Sequence, residues 1–155
     1  MYLPLKMFFV CVASVLVFSA SLQASQQDVE SVISMLDEQI GAASGKDEHA
    51  KLCCFKARNY HKIGDMENAE QSYLEALDFD YKGWILNEYA YFLFRTGEFE
   101  RAYKAASKTL QDFPYLEKDA VKLRDKAWAA YEKQYNEENP PTIIMDAEVN
   151  RDRVT

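Results

Sequence analysis

Apolar residues recur every three or four positions along most of the chain, and polar residues fill the positions between them. That spacing places the apolar side chains on one face of an α-helix. Five glycines and four prolines leave little room for the many turns of an all-β fold. The pattern therefore predicts an all-α protein, with helices expected at residues 27–43, 46–62, 66–79, 84–95, 99–110 and 116–135.

Two stretches in the middle of the chain are copies of one pattern. The stretch that begins at Gly64 is followed by a similar one that begins at Gly97, an offset of 97 − 64 = 33 residues. Ala69 and Ala102 occupy the same place in the two copies. A glycine after the last turn of a helix suits a residue of positive φ, and a small residue suits the crossing of two antiparallel helices. The copies therefore predict two successive helical hairpins.

These residues resemble the tetratricopeptide repeat, a helix–turn–helix unit of about 34 residues. The resemblance covers residues 50–114 and implies repeats at about 50–82 and 83–115 in a right-handed solenoid, with capping helices at 27–43 and 116–135. The chain departs from the family pattern at Ala106, where an aromatic residue is usual, at Thr109, where alanine is usual, and at Tyr81, where proline is usual. The matching positions are Ala57, Tyr60, Gly64, Ala69, Tyr73, Ala76 and Leu77, then Ala90, Leu93, Gly97, Phe99, Ala102, Ala106, Thr109, Leu110 and Pro114.

The family implies a function carried by a surface. Its first helices line a concave groove that holds an extended peptide or a helix of a partner protein. The groove positions carried over to this chain are Lys51, Arg58, Lys62, Trp84, Asn87, Tyr91, Phe94 and Arg95, accompanied by Cys54 and His61. Cations beside flat apolar side chains suit a peptide with acidic or aromatic residues. The alternative is that Trp84 and Tyr91 pack between helices and that the cations are merely solvated.

The first 24 residues have the three-part plan of a secretory signal peptide. Lys6 supplies a positive charge, residues 7–22 are free of charge, and Ala24 is a small residue where a signal peptidase would cut. We therefore expect export to the periplasm or the outside of a bacterial cell. An uncleaved anchor is the alternative, although 16 residues are fewer than the roughly 20 that span a bilayer.

Composition and motifs argue against several other classes of protein. A net charge of −7 speaks against nucleic-acid binding. The neighbours Cys53 and Cys54 cannot form a disulfide with each other without distortion of the backbone. His49 and Cys53 lie four positions apart, but two ligands are weak grounds for a metal site. We expect no enzyme activity, no cofactor and no bound metal.

The sequence thus favours a non-catalytic, exported adaptor that binds a protein or peptide. A membrane-tethered assembly factor with an uncleaved anchor and a small acidic secretion chaperone remain as alternatives. Because solenoids usually need three or more repeats, self-association or an obligate partner is a further option. Residues 136–155, which include Pro140 and Pro141, are expected to form a disordered tail in which Ile143–Met145 is an optional docking motif.

Overall fold

A computed structural model describes residues 26–139. This part of the chain is all-α and contains no strand, as the periodicity predicts. The signal peptide expected at residues 1–24 and most of the expected tail, residues 140–155, lie outside the described residues. The helices are α1 (26–42), α2 (Lys46–Lys62), α3 (Met66–Phe79), α4 (Gly83–Arg95), α5 (Phe99–Asp112) and α6 (Glu117–Glu138), with one 3-10 turn at Pro114–Leu116 between the last two.

The helices pair into two hairpins that follow the 33-residue offset. Helices α2 and α3 form the first hairpin, α4 and α5 form the second, and α6 packs on α5. Helix α5 starts and ends 33 residues after α3, at 99 against 66 and at 112 against 79. Within residues 26–139 the fold is therefore a repeat-like arrangement of antiparallel helices.

The turns of the two hairpins have the same geometry. Gly64 and Gly97 have φ angles of 81° and 86°, so the prediction of positive φ is confirmed at both. Asp65 N donates to Tyr60 O at 3.0 Å, and Glu98 N donates to the equivalent carbonyl of Leu93 at 2.9 Å. These bonds close the last turns of α2 and α4. They require a backbone of positive φ at Gly64 and Gly97, which glycine adopts without strain.

Small residues lie where the helices cross. Ala57 and Ala69 in the first hairpin, and Ala90 and Ala102 in the second, are each 0% exposed. A methyl group at these positions allows the paired helices to approach closely while still excluding water. The expectation that Ala69 and Ala102 lie at crossings agrees with this burial.

A polar network joins the two hairpins. The Tyr89 hydroxyl donates to Glu70 Oε1 at 2.7 Å, and Arg101 Nη2 donates to the Tyr89 oxygen at 2.8 Å. Arg101 also forms an ion pair with Glu70. The guanidinium of Arg101 lowers the pKa of Glu70. Glu70 is therefore a structural carboxylate that connects α3 to α4 and α5.

The flanking helices differ in part from the prediction. Ile33 and Leu36 of α1 are buried, whereas Val32 of the same helix is 42% exposed. Helix α6 continues to Glu138, beyond the predicted end at residue 135, so residues 136–138 are helical and the prediction of disorder is wrong for them. The side chain of Asn139 donates to Tyr135 O at 3.0 Å and satisfies a carbonyl at the helix end.

Among residues 26–139 no helix has the length and apolarity needed to cross a membrane.

Candidate functional site

Helices α2 and α4 lie on either side of a surface depression, which we call the α2–α4 groove. It consists of a larger cavity of about 470 Å³ and a smaller one of about 320 Å³. Arg58 and Glu88 line both cavities, so the two adjoin. The larger cavity is lined by Arg58, His61, Lys62, Tyr73, Glu88, Tyr91, Phe92 and Arg95, and the smaller one by Lys51, Cys54, Phe55, Arg58, Trp84 and Glu88.

The groove brings most of the residues implied by the family resemblance together. Arg58, Lys62, Tyr91 and Arg95 line the larger cavity, whereas Lys51 and Trp84 line the smaller one with Arg58. Asn87 and Phe94 line neither cavity. Five residues of α4 line the groove. Trp84, Glu88, Tyr91 and Arg95 follow one helical stripe at i, i+4, i+7 and i+11, and Phe92 lies beside them.

Asn87 and Phe94 lie on another stripe of α4. The ring of Phe94 packs 5.6 Å from that of Phe99, centroid to centroid, and is partly buried against the core. The Oδ1 atom of Asn87 is buried and accepts no hydrogen bond from residues 26–139. Phe94 therefore packs against the core, and neither residue lines the groove between α2 and α4.

An ion pair crosses the middle of the groove. The guanidinium of Arg58 donates from Nε to Glu88 Oε2 at 3.1 Å and from Nη2 to Glu88 Oε1. It also lies 5.1 Å from the centroid of the Phe55 ring. The hydrogen bonds to Glu88 raise the pKa of Arg58. Because Glu88 compensates its charge, Arg58 is not the open cation that the sequence suggests; it holds α2 against α4.

The uncompensated positive charge lies at one end of the groove. Lys62 and Arg95 are the last residues of α2 and α4, and neither forms a salt bridge with the residues that the structure describes. His61 is next to them, with its ring edge-on to Phe92 at 5.4 Å. Lys51, at the other end, is paired with Asp47 at 2.6 Å. The end of the groove that carries Lys62 and Arg95 therefore attracts anions, although the chain is acidic overall.

Aromatic side chains form the floor and one rim. Tyr73 is 4% exposed, and its ring centroid lies 5.4 Å from that of Phe92. Burial raises the pKa of Tyr73 to about 12. Tyr91, in contrast, is 37% exposed on the rim. The groove thus offers a flat, partly solvated ring close to its cationic end.

The cysteine on the groove wall is a packing residue. Cys54 is 1% exposed, and burial raises the pKa of its thiol to about 12. A thiol of that kind is a small apolar group and a poor nucleophile. Cys53 and Cys54 are both free and buried.

Sequence reasoning missed four residues of the groove: Phe55, Tyr73, Glu88 and Phe92. Glu88 and Phe92 follow Trp84 at helical spacing, so the periodicity of α4 contains a signal for them. Tyr73 comes from α3, and its place in the floor depends on how the hairpin closes.

Comparisons with protein-family models, with curated proteins and with solved structures found no match to this chain.

Proposed function

We propose that this chain is a non-catalytic protein-interaction module of the tetratricopeptide type, in which the α2–α4 groove holds an extended peptide segment of a partner protein. The observation that carries the proposal is the joint position of Lys62, Arg95 and the exposed ring of Tyr91 at one end of that groove. The 33-residue equivalence of the hairpins and the positive φ of Gly64 and Gly97 support the family resemblance.

The chemistry of the groove favours a peptide with carboxylates and an aromatic or apolar side chain. Lys62 and Arg95 supply charges that no carboxylate of residues 26–139 neutralises by a salt bridge. A guanidinium and an ammonium at one end would pair with carboxylates and set the direction of the peptide. Tyr91 offers a rigid amphipathic ring at a small cost in side-chain entropy.

The test uses two short peptides that differ only in charge. One alternates glutamate with tyrosine and includes proline to keep it extended, and the other has lysine in place of glutamate. We expect the acidic peptide to bind with the lower Kd, measured by fluorescence anisotropy. In the double variant Lys62→Glu and Arg95→Glu, the affinity for the acidic peptide should fall by about tenfold or more, which is about 1.4 kcal/mol.

The matched control is the double variant Lys118→Glu and Lys122→Glu, which makes the same charge change at exposed positions of α6. It should keep the wild-type affinity for the acidic peptide, apart from a small long-range electrostatic repulsion that salt screens. Equal losses in the two double variants would show that net charge, and not the groove, determines binding. The absence of any preference for the acidic peptide would contradict the proposal directly.

We also infer that the module acts outside the cytoplasm, from the signal-like pattern of residues 1–24. The processed chain would then begin at Ser25 and contain 155 − 24 = 131 residues. Intact mass spectrometry of periplasmic and membrane fractions tests this. A soluble periplasmic species that begins at Ser25 is the expected result, whereas a full-length species in the membrane fraction would favour the tethered assembly factor.

A further inference from the structure

Three side chains with metal-ligating atoms converge between α2 and α3, away from the α2–α4 groove. They are His49 and Cys53 on α2 and Glu75 on α3, and their ligand atoms all lie within 4.8 Å of one another. His49 Nε2 lies 3.9 Å from Glu75 Oε1. The four-residue spacing of His49 and Cys53 is visible in the sequence, but the third ligand comes from the neighbouring helix.

The imidazole of His49 is held in place by an aromatic neighbour. Its ring stacks on that of Phe79, with centroids 3.5 Å apart and an interplanar angle of 25°. Its Nε2 atom is buried and has no hydrogen-bond partner among residues 26–139. A buried polar atom without a partner costs free energy unless a ligand satisfies it. Here that atom faces a carboxylate and a thiol that can bind the same ion.

We propose that His49, Cys53 and Glu75 form a binding site for Zn²⁺. Zinc accepts this combination of nitrogen, sulfur and oxygen ligands, whereas Ca²⁺ and Mg²⁺ prefer oxygen alone. With bonds of about 2.0–2.3 Å and tetrahedral angles, two zinc ligands are about 3.5 Å apart. The three atoms therefore need to approach by at most about 1.3 Å, since their separations are at most 4.8 Å.

The surroundings leave the fourth position to water. Cys53 is 0% exposed and closes the inner side of the site, while the side chain of Glu75 is 38% exposed and opens to solvent. Zinc binding replaces the proton of the Cys53 thiol, which leaves to solvent. The bound ion would connect α2 to α3 and so stabilise the hairpin that supplies one wall of the α2–α4 groove.

The experiment titrates the chelator-treated chain with Zn²⁺ by calorimetry and with Co²⁺ by absorption spectroscopy. We expect one ion per chain, a rise in Tm on addition of zinc, and a thiolate-to-cobalt charge-transfer band. In Cys53→Ala that band should vanish, and the affinity for zinc should fall by more than about 100-fold. Loss of a residue that only hydrogen-bonds a metal ligand lowers the affinity by about 10- to 100-fold. Glu75→Gln should bind zinc at least about tenfold more weakly, since a neutral amide replaces a charged ligand.

Cys54→Ala is the matched control, because Cys54 is an equally buried neighbouring thiol that faces the groove. It should keep both the cobalt band and the affinity for zinc. Circular dichroism checks the fold of each variant, and the half-exposed Glu75→Gln decides the question if Cys53→Ala does not fold. Failure of the wild-type chain to bind zinc, an unchanged affinity in Glu75→Gln, or loss of the cobalt band in a folded Cys54→Ala would overturn the proposal.

Discussion

Replacement of Gly83 by valine is expected to lower the free energy of unfolding by about 3 kcal/mol or more. Gly83 begins α4 and is buried. A Cβ atom at this position would lie 2.6 Å from Phe113 Cγ, 2.7 Å from Leu116 Cδ1 and 2.8 Å from Phe113 Cβ. These separations are far below van der Waals contact. Two of these three atoms, Phe113 Cβ and Cγ, lie next to the backbone, so rotation of the ring does not relieve the overlap.

Gly41→Val is the matched control for this prediction. Gly41 lies in α1, and a Cβ atom there would meet nothing within 4 Å. The control should change stability by no more than about 0.5 kcal/mol, because it is a surface substitution without a new contact. Urea denaturation of both variants measures the difference. Equal stability of Gly83→Val and the wild type would show that Phe113 and Leu116 do not pack against the start of α4.

The helices and the repeat were readable from the sequence because they depend on local signals. The apolar spacing and the two glycines define α2 to α5 closely, and α2 and α3 have the predicted bounds. Gly83 shows where this reasoning stops. Its equivalent in the first hairpin is Ala50, 33 positions earlier, so the repeat pattern allows a methyl group at this place. The need for glycine arises from Phe113 and Leu116, about 30 residues along the chain, which pack on the start of α4.

The α2 side of the groove was predictable except for Phe55, and the α4 side was predictable only in part. Of the α4 positions that the family resemblance implies, Trp84, Tyr91 and Arg95 line the groove, whereas Asn87 and Phe94 lie on another stripe of the same helix. The charge pattern also suggested that Arg58 is open to a ligand. Its partner Glu88 is 30 positions away, and only the packing of α2 beside α4 shows that they pair. Likewise, Glu75 completes the proposed zinc site from a second helix.

Replacement of Tyr73 by alanine is expected to cost about 3–5 kcal/mol, the range for loss of a buried aromatic side chain. Tyr73 is 4% exposed on α3, and its ring contacts those of Tyr89 and Phe92 on α4, with centroids 6.1 Å and 5.4 Å away. It therefore joins the first hairpin to the second. The equivalent position in the second hairpin is Ala106, which is 0% exposed. The second hairpin therefore has no tyrosine at this place that could replace the ring contacts of Tyr73.

Two further variants separate the causes of this loss. Tyr115→Ala removes the same side chain from a position that is 76% exposed and should change stability by about 0.5 kcal/mol at most. Tyr73→Phe keeps the ring and should retain most of the stability, since packing of the ring dominates. Urea denaturation followed by circular dichroism gives all three values. If Tyr73→Ala were as stable as Tyr115→Ala, the two hairpins would not depend on this aromatic contact, and the groove would lack the rigid floor that preorganised peptide binding requires.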